Sequence, residues 1–179
     1  MNPEPLSRKA LDTLQRDTFS YFRKETNPLN GLVPDSTRPG SHCSIAAVGL
    51  GLASYPIAVE RNFISRDEAA DRVLTTLRFF WQSPHGAAPD ATGYKGFYYH
   101  FLHMDSGRRA WECELSTIDS TILIAGALTA AAYFDHETEQ EQSIRTLAND
   151  LYLRMDWLWA LNRDGKVSMG WKPESGFLP

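Results

Sequence analysis

The chain has 179 residues, 42% of them hydrophobic and 12% aromatic, enough to bury a full core and a length that suits one domain over 1–179 better than two. A formal net charge of -4 provides no broad positive field, which argues against nucleic acid or an anionic membrane surface and favours a neutral partner. No apolar run reaches the roughly 18–20 residues of a membrane span, and the opening MNPEPLSRKALD lacks the apolar stretch of a secretion signal. As written, the chain therefore reads as cytoplasmic, or periplasmic if a signal has been removed.

From Pro5 to about Glu25, Leu11, Leu14, Tyr21 and Phe22 recur at helical spacing among charges, which predicts an amphipathic helix with one buried stripe. Ser44 to about Val59, SIAAVGLGLASYPIAV, has no polar face and holds Gly49 and Gly51 inside it, so this helix must be surrounded. Ser65 and Glu68 form a capping box that starts a third helix, with Ala69, Ala70, Val73, Leu77, Phe80 and Trp81 facing inward. The fourth helix, about Ser116 to Phe134, is apolar and small nearly all round after its first turn. Thr138 and Glu141 open a fifth, with Ile144, Leu147, Leu151, Met155, Leu158 and Trp159 on one side. Beyond it, Asn162 to Trp171 contains Asp164-Gly165 between short strand-like pieces, which predicts a small β-hairpin.

The resulting order alternates amphipathic with fully apolar helices. It predicts an all-α fold, either part of an (α/α) toroid with outer and inner rings or a five-helix bundle with two central helices. Inner helices lead to outer ones through short turns, at Glu60 to Ile64 and Asp135 to Glu137. Outer helices lead to inner ones through the long segments Thr26 to Cys43 and Ser83 to Leu115. All long loops then gather at the N-terminal ends of the inner helices, where function usually resides. Cys43 and Cys113 are too few for a disulfide scaffold and read as free thiols, a pair between them being the alternative because each precedes an inner helix.

Three carboxylates, Glu112, Glu114 and Asp119, border the start of the fourth helix beside Trp111 and the aromatic-rich loop GYKGFYYHFLHMD. An acid in a first helical turn is favoured by the dipole by roughly 0.3–1 kcal/mol, so capping accounts for Asp119 alone. Three acids among aromatic rings fit carbohydrate chemistry better, since sugar faces stack on rings, hydroxyls bond to acids and a carboxyl pair cleaves the glycosidic bond. Trp111, Trp171, Tyr94 and Tyr98 are the stacking candidates, each with a core role as the alternative.

Several ordered motifs resemble the glycoamylase-like glycoside hydrolases, the family of the endo-β-1,2-glucanases and of the glycoamylase-like domain of cyclic β-1,2-glucan synthases. They are GLVPDS at Gly31 to Ser36, SIAAVGLGLA at Ser44 to Ala53, GFYYHFLHMDSGRR at Gly96 to Arg109, ELSTIDSTILIAGAL at Glu114 to Leu128 and MGWKPESGF at Met169 to Phe177. The resemblance implies an (α/α)6 toroid acting on a β-glucan or related glycan, with Glu114, Asp119 and Glu174 at the acidic positions. Asp35, Tyr98, His100, His103, Asp105, Trp111 and Trp171 are the candidate substrate contacts. Two departures stand out. His103 occupies the place of an Asp in the family's HFLD-type segment, with Asp105 two residues on. The family's domain is also more than twice as long, so the likeness is to its N-terminal half.

By analogy with most toroid glycosidases the expected course is inversion, which needs an acid and a base about 6.5–9.5 Å apart. Asp119 at a helix N-terminus suits base or hydroxyl-binding work, and Glu114 or Glu174 suits the proton donor. The alternative is a non-catalytic helical module that binds a glycan or a partner chain. His100, His103 and Asp105, with His42 more distant, form an alternative metal set, but in an extended segment the two histidines point to opposite faces; hydroxyl contacts are favoured, and neither a metal nor a cofactor is expected. With only two inner helices, side chains such as Ile122, Leu123, Leu128 and Tyr133 are expected to face open space, and the expectation is a homodimer or larger assembly covering them, or else a marginally folded, aggregation-prone chain.

Overall fold

The computed structural model describes residues 7–162 and 164–178. Among the described residues lie five helices, α1 (Arg8–Glu25), α2 (Ile45–Glu60), α3 (Arg66–Gln82), α4 (Thr117–Tyr133) and α5 (Glu139–Leu153). Seven short strands accompany them: β1 (Cys43–Ser44), β2 (Gly93–Tyr94), β3 (Phe97–Tyr99), β4 (Phe101–Leu102), β5 (Leu115–Ser116), β6 (Gly170–Lys172) and β7 (Gly176–Phe177). Each helix opens on a Ser or Thr whose hydroxyl accepts a backbone N–H three residues on: Ser7, Ser44, Ser65, Ser116 and Thr138. Such caps are worth about 1 kcal/mol each and fix where the helices start. No helix among the described residues is long and apolar enough to cross a membrane.

The two apolar helices, α2 and α4, pack directly on one another, with α1 against α2, and α3 and α5 against each other. Gly49 and Gly126 let the two backbones touch. Arg66 at the start of α3 reaches Glu141 in the first turn of α5, donating from Nε to Oε1 at 2.8 Å and from Nη2 to Oε2 at 2.9 Å, and its guanidinium also covers the Tyr133 ring at 4.6 Å. This bidentate pair ties the ends of α3, α4 and α5 together.

The all-α expectation is corrected by an antiparallel five-stranded sheet in the order β2-β3-β5-β6-β7, with β1 and β4 forming a second, two-stranded pair. Its strands are two or three residues long, too short to carry a period-2 signal. They lie in the long segments before α2 and α4 and after α5, and they give those segments' backbone polar groups partners that a plain loop would lack.

Helix α5 ends at Leu153, earlier than Met155, Leu158 and Trp159 on its expected stripe require. The Asp156 side chain accepts the Trp159 N–H at 3.0 Å while the Asp156 N–H donates to the Lys95 carbonyl, a local alternative to helical bonding. Leu158 is consequently 82% exposed, whereas Trp157 and Trp159 turn inward against Phe97. The hairpin expected over Asn162 to Trp171 reduces to one bridge, Leu161 to Val167, around Asp164-Gly165, with position 163 outside the described residues. The developed hairpin is β6 with β7.

Leu123, expected on an open flank, is buried against α2; Ile122 and Tyr133 are half-buried and Leu128 is exposed. Leu50 and Ile57 of α2 and Ile118 of α4 join Leu128 in solvent. Cys43 and Cys113 are free and buried, and burial pushes the Cys43 thiol up to about 12.

Candidate functional site

One extended stretch organises the ends of both apolar helices. Tyr98 and Tyr99 of β3 pair with Ser116 and Leu115 of β5, and Phe101 and Leu102 of β4 pair with Ser44 and Cys43 of β1. Because β1 and β5 run straight into α2 and α4, residues 97–102 hold the two helix starts side by side. His100 sits at the centre: its carbonyl accepts the Ile45 N–H at 3.2 Å, and its N–H donates to the Glu114 carbonyl at 3.0 Å.

That backbone position aims the imidazole between two acids. His100 Nδ1 lies 2.9 Å from Glu114 Oε1, and Nε2 lies 3.7 Å from Asp119 Oδ2. The ring is fixed from behind by Phe101, stacked at 4.0 Å with an interplanar angle of 16°. Ser116 Oγ donates to Asp119 Oδ2 at 2.6 Å and accepts the Asp119 N–H at 3.1 Å, so the cap of α4 also orients its first acid. Glu114 Oε2 makes no hydrogen bond among the described residues.

Glu114 and Asp119 thus come together as expected, but not at the expected spacing. Atoms of His100, Glu114 and Asp119 lie within 4.8 Å of one another, closer than the roughly 6.5–9.5 Å that leaves room for a sugar and a water between an inverting pair. The same three residues are also the set that could approach a metal, in place of His100, His103 and Asp105; here their donors are engaged with each other and with Ser116 through hydrogen bonds.

Trp111 is 67% exposed. It and Glu112 both adopt φ of 54°, the left-handed region that costs a non-glycine residue about 1–3 kcal/mol and collects at ligand clamps. Its ring covers His42 at 4.1 Å and meets Phe101 edge-on at 5.3 Å, while His103 lies 4.8 Å beyond His42. His103 therefore belongs to the ring stack under Trp111 and not beside Glu114. Asp35 is exposed on the neighbouring loop and Asp105 on the turn after β4.

Glu174 is taken up by a different group. Arg109, with a side chain 2% exposed, grips it from Nη1 at 2.6 Å and Nη2 at 3.1 Å, and also donates to the carbonyls of Cys113 and Pro89 while lying over the Tyr99 ring. The guanidinium holds the Glu174 carboxyl below the usual carboxylate range, the opposite of what a proton donor needs. Tyr98 is corrected from a sugar contact to core: it is 0% exposed and donates its hydroxyl to the Phe80 carbonyl at 3.0 Å. Trp171 and Tyr94 are half-buried, packed on each other and on Trp159. Arg109, Ser116, His42 and Phe101 were not expected in these roles. A double Arg in GRR at Gly107 to Arg109 was the available signal for the first, whereas partners 65 residues apart leave none.

No protein-family model matches the chain. It is 30% identical to the exo β-1,2-glucooligosaccharide sophorohydrolase (non-reducing end) of Parabacteroides distasonis, over 84% of this chain and 21% of that protein. The solved structure of a glucoamylase-like protein from Bacteroides uniformis superimposes with a TM-score of 0.80 at 26% identity, covering 97% of this chain and 42% of the other. A β-1,2-glucanase from Parabacteroides distasonis does so with a TM-score of 0.82 at 24% identity, covering 96% of this chain and 25% of the other. The chain is therefore similar to the glycoamylase-like glycoside hydrolases over most of its own length, as its motifs led one to expect, and it spans less than half the length of each of these relatives.

Proposed function

We propose that residues 1–179 form one unit, the N-terminal part of an (α/α)6 toroid, with α2 and α4 as neighbouring inner helices and α1, α3 and α5 outside them. In this reading it serves a glycoside hydrolase acting on a β-glucan, of which the β-1,2-linked glucans of the relatives are the first choice. The observation that carries the proposal is the His100-bridged pair Glu114 and Asp119 beside the exposed face of Trp111.

Glu114 is the proposed proton donor, because one of its oxygens is free and its side chain is more exposed than that of Asp119, 28% against 18%. As the bond between the anomeric carbon and the glycosidic oxygen breaks, the Glu114 carboxyl proton passes to that oxygen. Water then forms the new bond to the anomeric carbon and yields its proton to a base. The close spacing makes Asp119 a hydroxyl contact and a support for Glu114, and the base a carboxylate across the cleft from outside these residues. Release of reducing ends from β-1,2-, β-1,3- or β-1,4-glucan by the purified full-length protein, strongly slowed in Glu114→Gln, is the test; no release from any of them removes the catalytic reading.

A second reading is favoured by the exposed apolar side chains of both inner helices, Leu50, Ile57, Ile118 and Leu128. It makes the chain a glycan-binding module whose open faces are covered by another subunit, a homodimer being the simplest case. Sedimentation equilibrium showing a monomer at all micromolar concentrations, together with glucan turnover, rules it out.

A further inference from the structure

We propose that Arg109 is a positioning residue: its guanidinium clamps a strained turn, Ala110 to Cys113, that presents Trp111 and carries the chain into Glu114. The clamp itself is independent of the hydrolase reading; only its effect on turnover rests on that reading.

The turn runs against its sequence. Trp111 and Glu112 are its two central residues, both at φ of 54°, and the Cys113 N–H closes it by donating to the Ala110 carbonyl at 3.0 Å. Turns with two positive φ values are dominated by Gly, Asn and Asp, because any larger side chain sets its Cβ against the backbone there. A Trp-Glu pair holds such a shape only where the surroundings over-determine it. Part of that constraint comes from β4: the Ala110 N–H donates to the Phe101 carbonyl at 3.0 Å, and the Phe101 N–H donates to Cys113 Sγ at 3.3 Å.

Arg109 supplies the rest from the other side. Its Nε donates to the Cys113 carbonyl at 2.7 Å, reaching across the whole turn. The remaining fork is filled by the Pro89 carbonyl at 3.2 Å and by both oxygens of Glu174, and the guanidinium plane lies over the Tyr99 ring. A buried guanidinium with every edge engaged has one orientation open to it. The Cys113 carbonyl belongs to the peptide bond that enters Glu114, while the Glu114 carbonyl on the far side accepts the His100 N–H at 3.0 Å. Glu114 is thus fixed by Arg109 before it and by His100 after it, and Trp111 rides on the same turn. Glycine would make this turn with less strain, so the cost of Trp111 and Glu112 points to what the turn displays and not to the fold.

Hydrogen exchange of the intact chain, read at individual amides by NMR, tests the clamp. Arg109→Lys keeps the charge but loses the fork, so exchange at the Cys113 amide is expected to quicken on the order of tenfold while the buried Ile144 of α5 keeps its rate. Glu174→Gln, which leaves the guanidinium one good acceptor, is expected to quicken it less. Adding Glu112→Gly to Arg109→Lys relieves the strain that the clamp opposes, and is expected to return the Cys113 amide most of the way to the wild-type rate. In the full-length protein, Arg109→Lys is expected to lower kcat for glucan hydrolysis about tenfold, and the double variant to recover most of it. A residue that only braced the fold would quicken Cys113 and Ile144 together and gain nothing from Glu112→Gly. Either of those results overturns the proposal, as does an unchanged Cys113 rate, or an unchanged kcat in a protein that does cleave glucan. Local quickening and its rescue, in a protein that cleaves no glucan, defeat the hydrolase reading and leave the clamp standing.

Discussion

Gly126 of α4 faces the carbonyl of Gly49 in α2 so closely that a methyl group on it would lie 2.0 Å from the Gly49 oxygen. In an open helix, Gly to Ala gains about 1 kcal/mol. Here the obstacle is backbone, which cannot rotate away, so Gly126→Ala is expected to destabilise by about 3 kcal/mol, the upper end of the roughly 1–3 kcal/mol range for overpacking. Gly51→Ala, whose added carbon would meet the Phe22 ring at 3.1 Å, is expected to change stability far less. Urea melts of both variants measure the contrast, and a stabilised Gly126→Ala would show that the helices do not touch there.

The buried end of the Arg66–Glu141 pair sets an acid limit. Hydrogen bonds from Arg66 hold the Glu141 carboxyl below its usual range. A depressed folded value means the stabilisation is fully present above the unfolded pKa of about 4.3 and is lost as pH falls through the folded value. Glu141→Gln is expected to cost roughly 2–3 kcal/mol at pH 7, less than the 3–5 kcal/mol of a fully buried pair because Arg66 retains some water access. Thermal melts from pH 7 to pH 3 should show the gap between wild type and variant closing below about pH 4.

Arg109 and Glu174 are unequal partners. Arg109 is buried and bonds two carbonyls besides the acid, whereas Glu174 is largely exposed. Arg109→Ala is therefore expected to destabilise by roughly 1–3 kcal/mol, since it strands the buried Cys113 carbonyl, and Glu174→Gln to lower the melting temperature only slightly. Full loss of glucan hydrolysis in a stably folded Glu174→Gln would reinstate that acid as a reacting group.

For turnover, Glu114→Gln and Asp119→Asn are each expected to slow glucan hydrolysis, the first by roughly 10²–10⁴-fold as for loss of an acid or base catalyst, the second by less. His100→Gln keeps a donor toward Glu114 but loses the imidazole edge that faces Asp119. It is expected to lower kcat with little change in melting temperature, whereas a residue that only braced the fold would lower both. An unchanged kcat would deny His100 its link to the acids.

The helices were legible because each carries its own start signal and either one apolar stripe or no polar face, as the Ser65 and Thr138 caps illustrate. The end of α5 was not, because Asp156 and Lys95 settle it through tertiary contact. Glu114 and Asp119 were legible as acids at a helix mouth. Their bridging by His100, 14 residues before Glu114, depends on strand register, which two-residue strands do not announce. Tyr98 shows the limit from the other side: an aromatic in a loop of aromatics has the same composition whether it faces a sugar or the core.

The sheet has one more implication, for the order in which the molecule is made. Leu115 and Ser116 pair on one side with Tyr99 and Tyr98 and on the other with Trp171 and Gly170, and the Thr117 hydroxyl donates to the Ser168 carbonyl at 2.6 Å. Until residues 168–177 have emerged from the ribosome, the strand that enters α4 is an uncovered edge and Arg109 has no carboxylate to hold. The helices can dock while the chain is still being synthesised, but the ground on which Glu114 stands is completed only once residues 168–177 have followed.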